Sequence, residues 1–317
     1  MPGEGILIIT GSMIGDVILS TGALAEILDR HAGARITLVC SKGTAILFRH
    51  APGQVEVIPL EKKKRGGHWF DLHRRLGARR WAAIYDFRDT VFSRFLKGPR
   101  HTPRRAAGEI RHKVIEASSI LGETPPLSPQ LWLGPETANT LPAELLAARK
   151  VLTLGPGATR VGKTWPAKRF GELAARLTAK DGALADGLVV ITGGPGDREA
   201  AETIAAALPH ERVLDMTGAD LLITAAAMAR ADLFVGNDSG MMHLSAASGA
   251  PTLGLFGPTD DRLYGPWGEH ATAVRPEGVT FAFGKISKTV SKDECQMTDL
   301  SVDQVATAAG ALRAVVR

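Results

Sequence analysis

Phe234–Asp260 reads FVGNDSGMMHLSAASGAPTLGLFGPTD, and its punctuation lays out one unit of a layered α/β protein. An apolar run closes at Gly236, and the turn Asn237-Asp238-Ser239-Gly240 follows. Gly240 to Ser248 then reads as a helix, and Thr252 to Phe256 as a second short strand. Strand, helix and strand at this spacing form a βαβ unit with a right-handed crossover and parallel strands. The helix opens directly from the strand end. Its first N–H groups lack partners there and its dipole end is positive, which suits a phosphate. Asp238 and Ser239 are also good N-capping residues, so plain capping is an alternative. The second strand brings Gly257-Pro258-Thr259-Asp260 toward the same edge. Two such loops side by side favour a diphosphate or sugar cradle over capping alone.

The pattern repeats in both directions. Upstream, strands are expected at Lys150–Leu154, Gly187–Thr192 and Asp232–Val235, and helices at Ala167–Ala179, Arg198–Leu208 and Asp220–Arg230. Pro166 is well placed near the start of the first of these helices. At the other end of the chain, Gly5–Thr10 (GILIIT) is a short buried strand. A helix over Gly15–Arg30 and a strand over Arg35–Cys40 follow it. Val55–Pro59 and Ala82–Asp86 read as further strands, Asp71–Leu76 as a helical patch and Ile110–Leu121 as a helix. Pro125–Ala143 lacks periodicity and reads as an interdomain connection. The expectation is an α/β chain of two doubly wound domains, 1–143 and 144–300. A C-terminal helix over 301–317 can cross back to the first domain. Such sheets bind ligands at the carboxyl ends of their strands, here expected to be the facing edges of a cleft.

A chain of 317 residues is long for one core, which agrees with two domains. Two cysteines, Cys40 and Cys295, match no metal spacing and form no disulfide framework, so a reducing compartment is expected. No basic leader and no long apolar run appears, so a cytoplasmic protein is expected, with peripheral contact to the inner face of the inner membrane as an accompanying reading. The net charge of +5 conceals a block: residues 61–113 hold 16 Lys and Arg against 5 Asp and Glu. Such a block suits an anionic partner, or it is simply a solvated basic face. Aromatic residues interleave sparsely and no RNA-binding signature occurs, so nucleic acid is set aside. Gly193-Gly194-Pro195-Gly196 lacks the G-x-G-x-x-G spacing, which disfavours a dinucleotide enzyme. No G-x-x-x-x-G-K-[ST] is read in the chain, so a P-loop ATPase is likewise set aside. No Asp-x-Asp precedes a strand end, so no metal and no cofactor is expected.

Four ordered segments carry a specific resemblance. Asn237-Asp238-Ser239-Gly240-x-x-His243, followed by Pro251-x-x-x-Leu255-Phe256-Gly257-Pro258-Thr259-Asp260, is similar to the donor-domain signature of glycosyltransferase family 9, the lipopolysaccharide heptosyltransferases. Ile6–Ile9 with Gly15-Asp16-Val17-Ile18-Leu19 resembles that family's N-terminal signature. Gly162–Phe170 (GKTWPAKRF) resembles its phosphate loop, and Cys295-Gln296-Met297 before Leu300-Ser301-Val302 its C-terminal end. The resemblance implies two Rossmann-like domains facing a cleft, the GT-B glycosyltransferase architecture. It also implies transfer of a sugar, heptose from ADP-heptose, to an anionic lipid-linked oligosaccharide with inversion. The nucleotide-sugar is then a substrate rather than a cofactor.

The same resemblance implies roles. Asp16 matches the general base, although it also stands where a helix cap would. Lys163 matches the lysine that stabilises the leaving diphosphate, and a solvent-exposed loop lysine is the plain alternative. Thr159 would add a hydroxyl donor. Asp238 would contact donor sugar hydroxyls, with Ser239, Gly240 and His243 on the diphosphate side. Glu199 would bind ribose hydroxyls, or else complement the first turn of its helix. Lys62, Lys64, Arg65, Arg74, Arg75, Arg79 and Arg80 would meet the anionic acceptor or an anionic leaflet. Two rivals stay open: another enzyme on the same architecture, such as a nucleotide-sugar epimerase or a hexosyltransferase, and a non-catalytic glycan-binding relative.

Overall fold

A computed structural model describes residues 5–61, 63, 66–104, 109–122, 125–278, 291 and 293–316. They fall into two compact units, Met1–Trp132 and Leu133–Arg317.

The first unit runs β1 (Gly5–Ile9), α1 (Ile14–Arg30), β2 (Arg35–Ser41), β3 (Gln54–Leu60), α2 (Gly67–Leu76), β4 (Trp81–Asp86), β5 (Arg100–His101) and α3 (Lys113–Ser118). Its five strands are ordered β3-β2-β1-β4-β5, and the neighbouring pairs are parallel. Both faces of β1 are covered, which is why Ile6, Leu7, Ile8 and Ile9 are all apolar rather than alternating. Leu7 and Ile9 pack with Leu72 and Leu76, which lie one turn apart on α2. α1 packs against α3.

The second unit runs α4 (Pro135–Asn139), α5 (Ala143–Ala147), β6 (Val151–Gly155), α6 (Ala167–Thr178), β7 (Leu188–Gly193), α7 (Arg198–Ala205), β8 (Val213–Thr217), α8 (Leu221–Met228), β9 (Leu233–Asn237), α9 (Gly240–Ala247), β10 (Thr252–Leu255), α10 (Asp261–Tyr264), β11 (Ala271–Val274) and α11 (Val302–Val316). Its six strands are ordered β11-β10-β9-β6-β7-β8, again parallel. Alternate residues divide between two cores. Leu152, Leu154, Val189, Ile191, Leu233 and Val235 face Phe170, Leu173 and Ile204. Val151, Leu188 and Val190 face Met216 and the alanines of α8. The α/β, doubly wound expectation holds for both units.

The stretch read as a connection is fastened at both ends. The Leu127 N–H donates to Ser118 Oγ at 2.9 Å, and the Gln130 N–H to Thr21 Oγ1 at 3.0 Å, both within the first unit. Leu141 and Leu145 are buried in the second unit's core. The C-terminal helix is α11, and its Val305, Ala309 and Leu312 sit in the second unit's other core, with Phe170 and Leu173.

Candidate functional site

Strand order places the sites. In an open parallel sheet a crevice forms at the carboxyl ends of the two strands where the winding reverses. In the second unit those strands are β6 and β9. The loop after β6 carries Lys163, and β9 ends in Asn237 with Asp238 next.

The Lys163 Nζ lies 2.5 Å from Asp238 Oδ2, with the two side chains 18% and 6% exposed. Thr259 Oγ1 donates to the same carboxylate oxygen at 2.7 Å. Thr259 comes from the loop after β10, so three strand ends converge on one carboxylate. Capping is not what occupies Asp238. Ser239 stands at the N-cap of α9 but makes no side-chain cap bond. Its Oγ is buried and has no hydrogen-bond partner among the described residues. Gly240 opens α9, and His243 is buried one turn further on. The loop after β10 ends in Asp260, whose carboxylate takes both Arg262 Nε (2.9 Å) and Arg262 Nη2 (2.6 Å) and the Arg262 N–H in the first turn of α10 (3.0 Å). The Arg262 guanidinium holds the Asp260 carboxyl below its usual range against the opposing effect of burial.

Two sequence motifs far apart are one structure here. The Gly162 N–H donates to Ser291 O at 3.1 Å, and the Gln296 N–H to Gly162 O at 3.3 Å. A Cβ on Gly162 would stand 2.8 Å from the Ser291 carbonyl oxygen and 2.9 Å from its backbone nitrogen, so only glycine admits this approach. The Trp165 Nε1–H donates to Leu300 O (2.8 Å), as does Arg169 Nη1 (2.7 Å). The C-terminal segment is thus a strap across the lysine loop.

Gly157–Thr164, GATRVGKT, does carry the G-x-x-x-x-G-K-[ST] spacing, which corrects the reasoning by which a P-loop was set aside. Its local structure is different from a P-loop. That motif has its lysine at the mouth of the following helix. Here Lys163 closes a short 3₁₀ turn, Val161–Lys163, Thr164 is extended, and α6 starts only at Ala167 after Pro166. Thr159 is exposed in this loop, and Glu199 is exposed in the first turn of α7.

In the first unit the winding reverses between β1 and β4. Asp16 lies there, exposed, in the first turn of α1. The N-cap is Met13, so Asp16 is not the capping residue. A Cβ on Gly11 would stand 2.9 Å from Asp16 Cβ, so glycine lets the loop fold back beside the carboxylate. A cavity of about 140 Å³ opens at the same strand ends, lined by Thr10, Ser12, Ser41, His68, Trp69 and Arg88 among others. The Arg88 guanidinium lies over the Trp69 ring at 5.8 Å. The loop that carries Arg88 is fixed by the buried Asp86, which accepts from the Arg88 N–H, the Thr90 N–H and the Thr90 hydroxyl. Cys40 borders the cavity, but burial pushes its thiol up to about 11, outside nucleophilic range at neutral pH.

The basic block is partly spent on local contacts. Arg75 pairs with Glu56 at 2.5 Å, Arg74 approaches Asp71 at 3.6 Å, and Arg79 lies over Trp81 at 5.9 Å. Arg80 and Lys97 are joined through their backbones by an isolated parallel β-bridge. Lys62, Lys64 and Arg65 lie outside the described residues. Sequence reasoning gave no role to Thr259, Asn237, Trp69 or Arg88. Thr259 and Asn237 had a signal, since both stand in the segment whose two loops were expected at one sheet edge.

Known proteins of this fold can now be set beside this one. The structure of an E. coli ADP-heptose lipopolysaccharide heptosyltransferase II superposes over 98% of each chain, with a TM-score of 0.73 and 22% identity. That of a family 9 glycosyl transferase from Veillonella parvula does so over 99% of each, with a TM-score of 0.77 and 23% identity. These likenesses give the fold, the two-sheet GT-B kind. Lipopolysaccharide heptosyltransferase 2 of Salmonella typhimurium is 26% identical over 314 residues, 85% of this chain and 87% of that one. Lipopolysaccharide heptosyltransferase 1 of Pseudomonas aeruginosa is 28% identical over 296 residues, 83% of this chain and 81% of that one. The family model for glycosyltransferase family 9 (heptosyltransferase) matches residues 44–287. The chain therefore belongs to glycosyltransferase family 9, the heptosyltransferases.

Proposed function

We propose that this protein transfers a heptosyl group from ADP-heptose to an anionic, lipid-linked saccharide of the lipopolysaccharide core, in one displacement with inversion at the anomeric carbon. The observation that carries this reading is the Lys163–Asp238–Thr259 cluster at the reversal point of the second sheet, in a family 9 chain. The acceptor hydroxyl oxygen attacks the anomeric carbon, and the bond from that carbon to the diphosphate oxygen breaks. The acceptor's proton goes to Asp16, and the bonding pair leaves with ADP. Positioning of the two reactants supplies much of the rate, because a carboxylate of ordinary basicity is a modest base.

Charge grows on the departing diphosphate. The Lys163 ammonium, the Ser239 hydroxyl and the first N–H groups of α9 meet it. A phosphate oxygen competes with Asp238 for the ammonium, and the freed carboxylate then accepts from sugar hydroxyls. Thr159 and Glu199, both at exposed loop or helix starts, are assigned to the diphosphate and the ribose. His243 braces the diphosphate side. With a side-chain cation in this role, the reaction needs no metal ion. Loss of activity on chelation, restored by a divalent cation, would overturn that part.

The cavity of the first unit, with Trp69 as a platform and Arg88 as a cation, suits an anionic sugar of the acceptor. The protein works in the cytoplasm at the inner face of the inner membrane. Replacing Asp16 by Ala should lower transfer by at least about 10²-fold while ADP binding persists. Transfer at the wild-type rate in that variant would remove Asp16 from the mechanism.

A further inference from the structure

Asn237 is the last residue of β9 and is 0% exposed. A buried amide must satisfy both its donor and its acceptor. Its Oδ1 accepts the Trp165 N–H at 3.0 Å, and its Nδ2 donates to Pro156 O at 2.6 Å. Those partners are the two ends of the loop that leaves β6 and enters α6. One side chain therefore ties the loop shut at its base. Lys163 lies inside the loop, two residues before Trp165. The adjacent residue, Asp238, receives the lysine's ammonium. The end of β9 thus fixes the lysine loop twice: the Asn237 side chain holds the loop's backbone, and Asp238, the next residue, holds the lysine's side chain.

We infer that Asn237 is a positioning residue for Lys163: its carboxamide bridges Pro156 and Trp165 and so sets where the loop presents the ammonium to the leaving group. The inference rests on the proposed role of Lys163. The chemistry of the bridge is specific to a carboxamide. An apolar residue would leave the Trp165 N–H and the Pro156 carbonyl without their partner. An ionised aspartate would keep the acceptor for Trp165 but place a negative oxygen against the Pro156 carbonyl. The tie shortens the free span of a loop that must hold one charge in place, and a shift of about 1 Å at such a group costs roughly 10²-fold in rate.

The test is a double-mutant cycle on transfer kinetics, with Asn237→Ala and Asn237→Asp each made alone and together with Lys163→Ala. Each single Asn237 variant should lower kcat roughly 10- to 100-fold while changing the acceptor KM by less than about twofold. In the Lys163→Ala background the same substitutions should cost less than about twofold, because the group they position is gone. Losses that multiply in the double variants would overturn the inference and assign Asn237 a structural role only. A Lys163→Ala variant that is itself fully active would instead overturn the role given to Lys163, so the two failures are distinguishable. Amide hydrogen exchange on the wild-type protein needs no variant to fold. The Trp165 N–H should exchange only through global unfolding, and exchange at the rate of an open loop would overturn the tie.

Discussion

Asp260 is 2% exposed and carries a bidentate guanidinium partner, Arg262, together with the Arg262 N–H in the first turn of α10. The Arg262 side chain holds its carboxyl below the ordinary aspartate value in the folded protein. A carboxyl depressed on folding contributes stability that is complete above its unfolded value and is lost as pH falls through its folded value. The melting temperature of Asp260→Asn should therefore lie below that of the wild type at neutral pH, and the gap should close on acidification below about pH 4. A gap that is constant down to acid pH would show that the ion pair is not its source. At this scale the sequence was legible where a residue's chemistry is local to its motif. Lys163 and Asp238 were both named, and they meet at 2.5 Å. Asn237 was quoted in the same motif but given no role, because an uncharged carboxamide whose partners are backbone groups leaves no mark of its task in a sequence. The spacing GATRVGKT was legible but misjudged, and only the extended Thr164 and the late start of α6 separate it from a P-loop.

The elements followed from periodicity. The strand–turn–helix–strand reading of Phe234–Asp260 is β9, α9 and β10, and the order of both sheets follows from repeating that unit with one hand of crossover. The strap was not legible, since nothing in Cys295–Leu300 states which loop it crosses. Its hold on Trp165 and Arg169 depends on backbone carbonyls, which leave no mark in a sequence. Trp165→Phe deletes one buried donor while Arg169 still serves the Leu300 carbonyl. The expected loss is about 1 kcal/mol in chemical denaturation, with earlier proteolysis within residues 291–300. Unchanged stability and unchanged proteolysis would mean that the strap is held elsewhere. The connection Pro125–Ala143 lacked periodicity because it is docked by single hydrogen bonds at one end and by isolated leucines at the other.

On the scale of the whole molecule, the two halves carry different chemistry. The first unit carries the exposed carboxylate, an aromatic and cationic cavity and most of the basic block. The second carries the lysine loop and the helix start. None of the described helices is long and apolar enough to cross a bilayer. The first unit does expose Phe70 (72%) and Phe95 (68%), from α2 and from the turn after β4. These elements touch through Trp69 and Phe92, 5.2 Å apart and stacked, and both carry arginines, Arg74 and Arg75 on α2 and Arg94 in the turn. Apolar side chains among cations suit an anionic leaflet. Phe70→Ser with Phe95→Ser should weaken co-sedimentation with phosphatidylglycerol vesicles and leave ADP binding unaltered, whereas undiminished sedimentation would exclude this face. The central claim concerns the donor and the transfer itself. Purified protein should be given ADP-heptose, GDP-mannose or a UDP-sugar, each with and without a lipid-linked lipopolysaccharide core acceptor, and nucleotide release followed. ADP should appear from ADP-heptose, dependent on the acceptor and in step with a heptose-extended product. Release from another donor alone, or from none, would contradict it.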